Sequence, residues 1–242
     1  MNYKLIPFSY YDPFERLGYN SILLEKAKNG DSFISLTGWN QMHISIGKHQ
    51  DPKAVLNKEY IKKRNIPFLQ RESGGGAVIN DTFTISYGIV SKRNNFPKDI
   101  TLLYESISAI ICTFLLKIGI KASYKPINDI VTKNGKISGS AILEKEEIIY
   151  IMGSILYKKD KNLMNAVLYP EKDFKESLPE IKKKLSSISE ESTCSFEEAV
   201  TTLTQTFKEK FSCELYTFSK EERAEAKKYA KKIKEKQKNL LE

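Results

Sequence analysis

Two loops of the chain hold residue types that could bind an anionic ligand and act on it. In the first, residues 71–81, an arginine stands just before three consecutive glycines. Glycine has no Cβ, so a ligand can lie against such a turn, whose backbone N–H groups then point at its negative charge. The arginine would add positive charge beside the turn. The candidate binding residues of this loop are Arg71, Ser73, Gly74, Gly75, Gly76 and Ala77.

The second loop, residues 128–141, offers a different set of groups. Asn128 and Asp129 place a neutral donor beside a carboxylate, which suits a ribose, a Mg²⁺ ion or an orienting hydrogen bond. Lys136 follows between two apolar stretches. An ammonium there would offset the repulsion between a phosphate and a carboxylate that are being joined, as carboxylate adenylation requires. The candidates are Asn128, Asp129, Lys136, Ser138, Gly139 and Ala141, with Lys136 catalytic and Asp129 the Mg²⁺ ligand.

Neither loop by itself is a specific signal for a nucleotide-binding site. Glycine turns often serve only to reverse the chain, and most lysines are solvated surface residues. The first loop lacks the Gly-Lys-Ser/Thr ending of a P-loop and the G-x-G-x-x-G spacing of a dinucleotide fingerprint. The two loops in combination favour a nucleotide-handling site of another kind.

The same loops, with the predicted strand at 150–156, resemble the lipoate-protein ligase A family of the biotin/lipoate ligase superfamily. Residues 71–81 read Arg-Glu-Ser-Gly-Gly-Gly-Ala-Val-Ile-Asn-Asp, and the second loop contains Asn-Asp-Ile and then Gly-Lys-Ile-Ser-Gly-Ser-Ala. Residues 46–50 match the usual Gly-x-x-Gln segment, and the similarity extends over much of residues 15–220.

The resemblance implies a role for each matching residue. The three glycines would line a lipoyl-adenylate pocket with Arg71 near the phosphate, and Lys136 would contact both the acyl carbonyl and the α-phosphate. Asn128 and Asp129 would lie on the nucleotide and metal side. Residues 138–141 would lie against the adenosine.

The implied activity has two steps and needs ATP and Mg²⁺. Lipoate would attack the α-phosphorus of ATP to give lipoyl-AMP, and a lysine of a lipoyl-domain protein would then take the lipoyl group. The acceptors implied are the E2 subunits of 2-oxoacid dehydrogenases and the glycine-cleavage H protein. Many members carry a small C-terminal accessory domain, which is a separate subunit in split ligases. The chain would end before that domain, so we expect a separate accessory subunit as a candidate partner.

Three positions depart from the family pattern. Gln70 replaces the first arginine of a pair, Asn80 stands where histidine is usual, and Met152 precedes Gly153 where the family has His-Gly. Asn80 can still donate a hydrogen bond but cannot titrate, so a protonation role at that position would be lost. These changes are compatible with altered acyl specificity, reduced activity or dependence on a partner.

Other functions remain open at this stage. An octanoyl or lipoyl transferase of the same fold would carry the acyl group on a cysteine thioester, but residues 121–126, where related transferases have that cysteine, contain none. An acyl-binding half enzyme without independent activity is a further alternative. Nucleic-acid binding is disfavoured because no aromatic residues interleave with the basic ones.

Composition and length limit the class of protein to which the chain can belong. The chain has 242 residues, 40% of them hydrophobic, and a formal charge of +9; it is long enough for one large domain with a packed core. No stretch reaches the roughly 18 consecutive apolar residues of a membrane span, and no signal-peptide pattern is present, which predicts a cytoplasmic protein. Three widely spaced cysteines predict neither a disulfide framework nor a zinc site. We expect Cys112 in a helix, and Cys194 and Cys213 in the helical C-terminal part.

The spacing of apolar residues predicts the helices and strands that must position both loops. Helices are predicted at 14–28, 57–64, 100–118, 162–167, 181–185 and 196–211, with Ser195 as an N-cap; strands are predicted at 32–37, 43–47, 68–71, 77–79, 82–90, 127–132, 136–144 and 148–157. Strands clustered among helices without βαβ alternation predict an α/β (α+β) fold, a mixed and largely antiparallel sheet flanked by helices. Residues 1–219 would form the catalytic domain. Residues 220–242 would form a basic, solvated helix, with docking of an acidic partner as the alternative.

Overall fold

A computed structural model describes residues 2–160, 167 and 184–237. Within this part of the chain the strands are β1 (Asn2–Tyr11), β2 (Phe33–Trp39), β3 (His43–Ile46), β4 (Phe68–Gln70), β5 (Val78–Asn80), β6 (Thr84–Lys92), β7 (Ser123–Lys125), β8 (Asp129–Thr132), β9 (Gly135–Lys145), β10 (Ile148–Leu156) and β11 (Ser212–Leu215). The helices are α1 (Pro13–Lys28), α2 (Pro52–Val55), α3 (Lys58–Arg64), α4 (Ile100–Lys117), α5 (Ile188–Glu191), α6 (Phe196–Lys210) and α7 (Lys220–Gln237), with a 3₁₀ turn at Arg93–Asn95.

The described strands form two sheets. The large sheet has the order β11-β1-β2-β6-β10-β9-β8-β7, and the small one has the order β4-β3-β5. In the large sheet β1 runs parallel to both β2 and β11, and the other pairs are antiparallel. The small sheet pairs β3 in parallel with β4 and antiparallel with β5. This is the mixed, largely antiparallel architecture that the sequence predicts.

Helices cover both faces of the large sheet. On one face, α4 and α6 bury their apolar sides, including Ile111, Phe114 and Phe207, against inward residues of β1, β2, β6 and β10. On the other face, α1 packs Tyr19 and Leu23 on the strands. Strand residues alternate between the two cores because successive side chains point to opposite faces.

The C-terminal helix α7 packs directly on α1. A Cβ added at Gly18 would lie 2.5 Å from the carbonyl oxygen of Ala226, so the two backbones approach closely. Ala226 and Ala230 are buried, while most of the lysines are exposed. The prediction of a solvated helix therefore holds for the basic face of α7 alone. The opposite face, with its small residues, packs against α1.

Most predicted elements are confirmed. Ser195 caps α6 in a full capping box with Glu198, and Cys112 lies in α4. Strands β1, β7 and β11 and the short helices α2 and α5 were not predicted from the sequence. The prediction for two cysteines was wrong, because Cys213 lies in β11 and Cys194 in the loop before α6. The predicted helix at 162–167 lies outside the described residues except for residue 167, as does that at 181–185 except for 184 and 185.

Helix α4 is long and apolar enough to cross a membrane by length and composition alone. In this fold its buried side faces the large sheet and α6, as the core helix of a globular domain would.

Candidate active site

A cavity of about 270 Å³ lies on the α1 face of the large sheet. Its floor is a row of paired residues that crosses four strands, Thr37 of β2, Ser86 of β6, Ser154 of β10 and Gly139 of β9. These side chains share one face because the strands are in register. All are small, so the sheet leaves an open trough where larger residues would fill it.

The glycine turn forms one wall, and Arg71 holds it in shape. The Arg71 guanidinium donates from Nη2 to the carbonyl oxygens of Gly74 and Gly76 at 2.8 Å each, and from Nη1 to the carbonyl oxygen of Ser45 at 2.9 Å. Its Nε donates to Ser73 Oγ at 3.1 Å. The Arg71 guanidinium therefore donates to acceptors of the protein itself and holds the glycine turn in shape.

Two glycines in this wall are required by geometry. Gly75 has φ of +96°, a conformation that side-chain-bearing residues rarely adopt. A Cβ at Gly47 would lie 2.0 Å from the carbonyl oxygen of Gly75, so the two backbone segments touch. Gln70, which replaces the family arginine, donates from Nε2 to the carbonyl oxygens of Gly47, Lys48 and Gln50. Gln70 thus links the strand before the first loop to residues 47–50.

Lys136 also lines the cavity, and its ammonium is held by an ion pair. Its Nζ is 2.7 Å from Asp129 Oδ1, and the Asp129 side chain is only 3% exposed. Gly139 leaves room for this ammonium, because a Cβ there would lie 2.8 Å from both Cε and Nζ of Lys136. The paired residues Lys136 and Asp129 come from the adjacent strands β9 and β8, whose register shifts at Ile130/Val131. A cation held in this way can be presented to an anion without a large loss of side-chain entropy.

Asn128 has a partner of its own. Its Nδ2 donates to the carbonyl oxygen of Ser140 at 2.6 Å, and the residue lines the cavity. Asp129, by contrast, is not among the residues that line the cavity, and its carboxylate already faces Lys136. Within the described residues no group of three His, Cys, Asp or Glu could hold a metal ion. Mg²⁺ usually takes one or two protein carboxylates and completes its shell with substrate phosphates and water, so Asp129 is the carboxylate near this cavity that could contribute to such a shell.

The cavity brings together most of the predicted site residues. Those that line it are Arg71, Gly75, Gly76, Ala77, Asn128, Lys136, Ser138, Gly139 and Ala141. Ser73, Gly74 and Asp129 are not among the residues that line the cavity. Ser73 also donates to the sulfur of Met152 at 3.4 Å, so the methionine that replaces the family histidine is tied to the glycine turn.

His43 was missed by the sequence reading, because a lone histidine on an apolar strand carries no local signal. It lines the cavity, and its Nε2 is 3.1 Å from Asn80 Nδ2. Burial lowers the pKa of His43 to about 4, so the ring is neutral at pH 7 and its Nε2 accepts the Asn80 hydrogen bond. The family has histidine at position 80. In this chain that position is Asn80, and the neighbouring His43 supplies an imidazole that accepts a hydrogen bond in its neutral form.

Helix α1 supplies a second set of residues that the sequence reading missed. Arg16 and Asn20, one turn apart, both reach the cavity wall, and Arg16 is only 4% exposed. Trp39, at the end of β2, completes this wall and donates from its indole nitrogen to Ser86.

All three cysteines lie away from the cavity lining. Burial raises the pKa of Cys112, Cys194 and Cys213, which disfavours the thiolate form. None of them is placed to serve as an acyl carrier at this site.

Comparison with known proteins decides the family. The sequence model of the lipoyl protein ligase A/B catalytic domain matches residues 12–213. The chain belongs to this family. The relatives that the chain matches include both lipoate-protein ligases and an octanoyltransferase.

Two relatives illustrate that range. The lipoate-protein ligase A of Blochmanniella pennsylvanica is 32% identical over 178 residues, which are 71% of this chain and 50% of the relative. The octanoyltransferase LipM of Geobacillus kaustophilus is 26% identical over 255 residues, covering 92% of this chain and 91% of the relative. The chain thus spans about half the length of the curated ligases it matches, and nearly the whole length of the transferase.

Solved structures share the fold. A bi-partite lipoate protein ligase from Thermoplasma acidophilum, described with its E2 lipoyl domain, matches with a TM-score of 0.84 at 19% identity, over 100% of this chain and 97% of the other. A lipoate-protein ligase A bound with ATP matches with a TM-score of 0.83 at 18% identity, over 100% and 99%. The predicted fold of the biotin/lipoate ligase type is confirmed.

Proposed function

We propose that this protein is an ATP-dependent lipoate-protein ligase. It would activate lipoate as lipoyl-AMP and transfer the lipoyl group to a lysine of a lipoyl domain. The observation that carries the proposal is the position of the Lys136 ammonium, which is fixed by buried Asp129 at the wall of a cavity that faces the glycine turn.

In the first step a carboxylate oxygen of lipoate attacks the α-phosphorus of ATP, and the bond to pyrophosphate breaks. Lys136 lowers the repulsion between the two anions and stabilises the charge that develops on the phosphate oxygens. The N–H groups of the glycine turn, fixed by Arg71, hold the phosphate. Mg²⁺ carried by the ATP phosphates would neutralise part of their charge.

In the second step the acceptor amine attacks the acyl carbonyl, AMP leaves, and the amine loses a proton to solvent. Lys136 again stabilises the oxyanion, because the attacked carbonyl lies next to the same phosphate. The preorganised ammonium makes this contribution without reorganisation at the moment of reaction. No cysteine is required on this route, in agreement with the three cysteines lying away from the cavity.

We include lipoyl domains as acceptors and a separate accessory chain as a partner in the activation step. The support for both is the likeness to a ligase described as bi-partite together with its E2 lipoyl domain. A second candidate function is octanoyl transfer, which the near full-length match to LipM favours. The absence of a cysteine from the cavity argues against a thioester intermediate here.

The deciding experiment follows a lipoyl domain by mass spectrometry after incubation with the purified chain. One arm supplies lipoate, ATP and Mg²⁺, a second supplies preformed lipoyl-AMP, and a third supplies an octanoyl thioester of acyl carrier protein. Modification in the first two arms supports a self-sufficient ligase, and modification only from lipoyl-AMP supports a partner for activation. Lys136→Ala is the inactive variant, and Lys133→Ala, at an exposed lysine of the preceding turn, is its matched control.

Modification from the thioester alone would replace the ligase by the transferase. No modification in any arm would refute the proposed function for this chain.

A further inference from the structure

Arg16 is a buried cation at the cavity wall, and its hydrogen bonding is incomplete. Its Nε donates to Thr37 Oγ1 at 2.9 Å and its Nη2 donates to Ser35 Oγ at 2.6 Å. Its Nη1, although buried, has no hydrogen-bond partner. Among the ion pairs of residues 2–160, 167 and 184–237, none involves Arg16. A buried guanidinium that lacks both a carboxylate and a full set of acceptors is costly.

A second unpartnered atom lies one helical turn away. Asn20 Oδ1 is also buried without a hydrogen-bond partner. The α1 wall therefore contains an unpaired donor and an unpaired acceptor, on two residues that line the same cavity. Native proteins satisfy the great majority of their buried polar groups, so an exception at a cavity points to a ligand that completes the set.

The register of the large sheet shows where this polar wall lies relative to Lys136. Arg16 is bonded to Thr37 on β2, and the Lys136 ammonium lies over Gly139 on β9. Thr37 and Gly139 belong to one row of paired residues and are separated by three interstrand spacings, or about 14 Å. A ligand whose carboxylate lies at Lys136 and whose chain follows the trough would bring its far end to Arg16.

We propose that Arg16 is a specificity-determining residue that selects acyl substrates with a hydrogen-bond acceptor at the end remote from the carboxylate. The inference rests on the proposed function. The dithiolane sulfurs of lipoate meet this requirement weakly, and a terminal hydroxyl or carboxylate meets it more strongly. The methyl end of octanoate has no acceptor for Nη1 and would leave that buried donor unpaired, which disfavours an apolar analogue at a polar site.

The test measures binding of four free acids to the whole chain by calorimetry, namely lipoate, octanoate, 8-hydroxyoctanoate and octanedioate. We expect the three acids with a terminal acceptor to bind on the order of tenfold or more tightly than octanoate. Arg16→Met, which keeps the length of the side chain without its charge or donors, should remove this preference. Arg64→Met, at an exposed arginine of α3, is the matched control and should keep it.

Equal affinity of the unmodified protein for octanoate and for the other acids would overturn the inference, whether or not Arg16→Met folds. An unchanged preference in folded Arg16→Met would do the same. If lipoyl-domain modification proceeds while all four acids bind equally, the proposed function stands and only the role of Arg16 fails. If no acid binds and no acceptor is modified, both fail together.

Discussion

Replacing Gly139 by alanine should slow catalysis without lowering the stability of the fold. The new methyl group would lie 2.8 Å from both Cε and Nζ of Lys136, and 3.8 Å from Asp129 Oδ1. Gly139 has no positive φ, so alanine is compatible with the backbone there. The substitution therefore changes mainly the position of one ammonium group.

The displacement follows from ordinary contact distances. Carbon atoms in contact settle about 3.5–4.0 Å apart, so the end of the Lys136 side chain must move by about 0.7 Å or more. A misplacement of about 1 Å in a catalytic group can cost on the order of 100-fold in rate, so we expect adenylate formation to slow about 10- to 100-fold. Stability should not fall, because a flexible side chain can yield and alanine is favoured over glycine in a strand by roughly 0.5–1 kcal/mol.

The assay measures pyrophosphate release or lipoyl-AMP formation in a single turnover, with the accessory chain added if activation requires it. Thermal unfolding of the same samples reports stability. Lys145→Ala, at the exposed end of the same strand, controls for general effects of altering β9. A Gly139→Ala protein with normal turnover would refute the claim that the position of the Lys136 ammonium limits the reaction.

Three further predictions follow from the same contacts. Lys136→Ala should reduce adenylation at least about 100-fold and lower the free energy of unfolding by about 1–3 kcal/mol, because buried Asp129 loses its ion-pair partner. The double variant with Asp129→Asn should regain stability in urea unfolding but not activity, and recovery of both would contradict the assigned roles. Gly75→Val should weaken lipoyl-AMP binding, since Gly75 has φ of +96°; unchanged affinity in a filter-binding assay would count against it. His43, whose pKa is lowered by burial from 6.5 to about 4, should make the fold less stable as the pH falls from 6.5 to 4, by up to about 3 kcal/mol. His43→Gln should lack this component, and identical pH profiles of unfolding would refute it.

Much of the fold could be predicted from local sequence. Helices α1, α4 and α6 follow from apolar spacing and N-caps, because both signals act within a few residues of one another. Strands β1 and β11 were missed, because their parallel pairing joins residues about 210 positions apart in the chain. The helix α7 could be predicted as basic and helical, whereas its packing on α1 depends on Gly18, which local sequence does not connect to it.

The sequence by itself determined the family and the two chemical loops, since residue types and their spacing along the chain carry that information. The tertiary structure decided how the groups are used. In the tertiary structure the Arg71 guanidinium donates to the carbonyl oxygens of the glycine turn, and buried Asp129 is the counter-ion of Lys136. The tertiary structure also placed Arg16 at the cavity wall, where it donates to Thr37 of β2. These outcomes depend on strand register and helix packing, which set distances between residues that are remote in sequence.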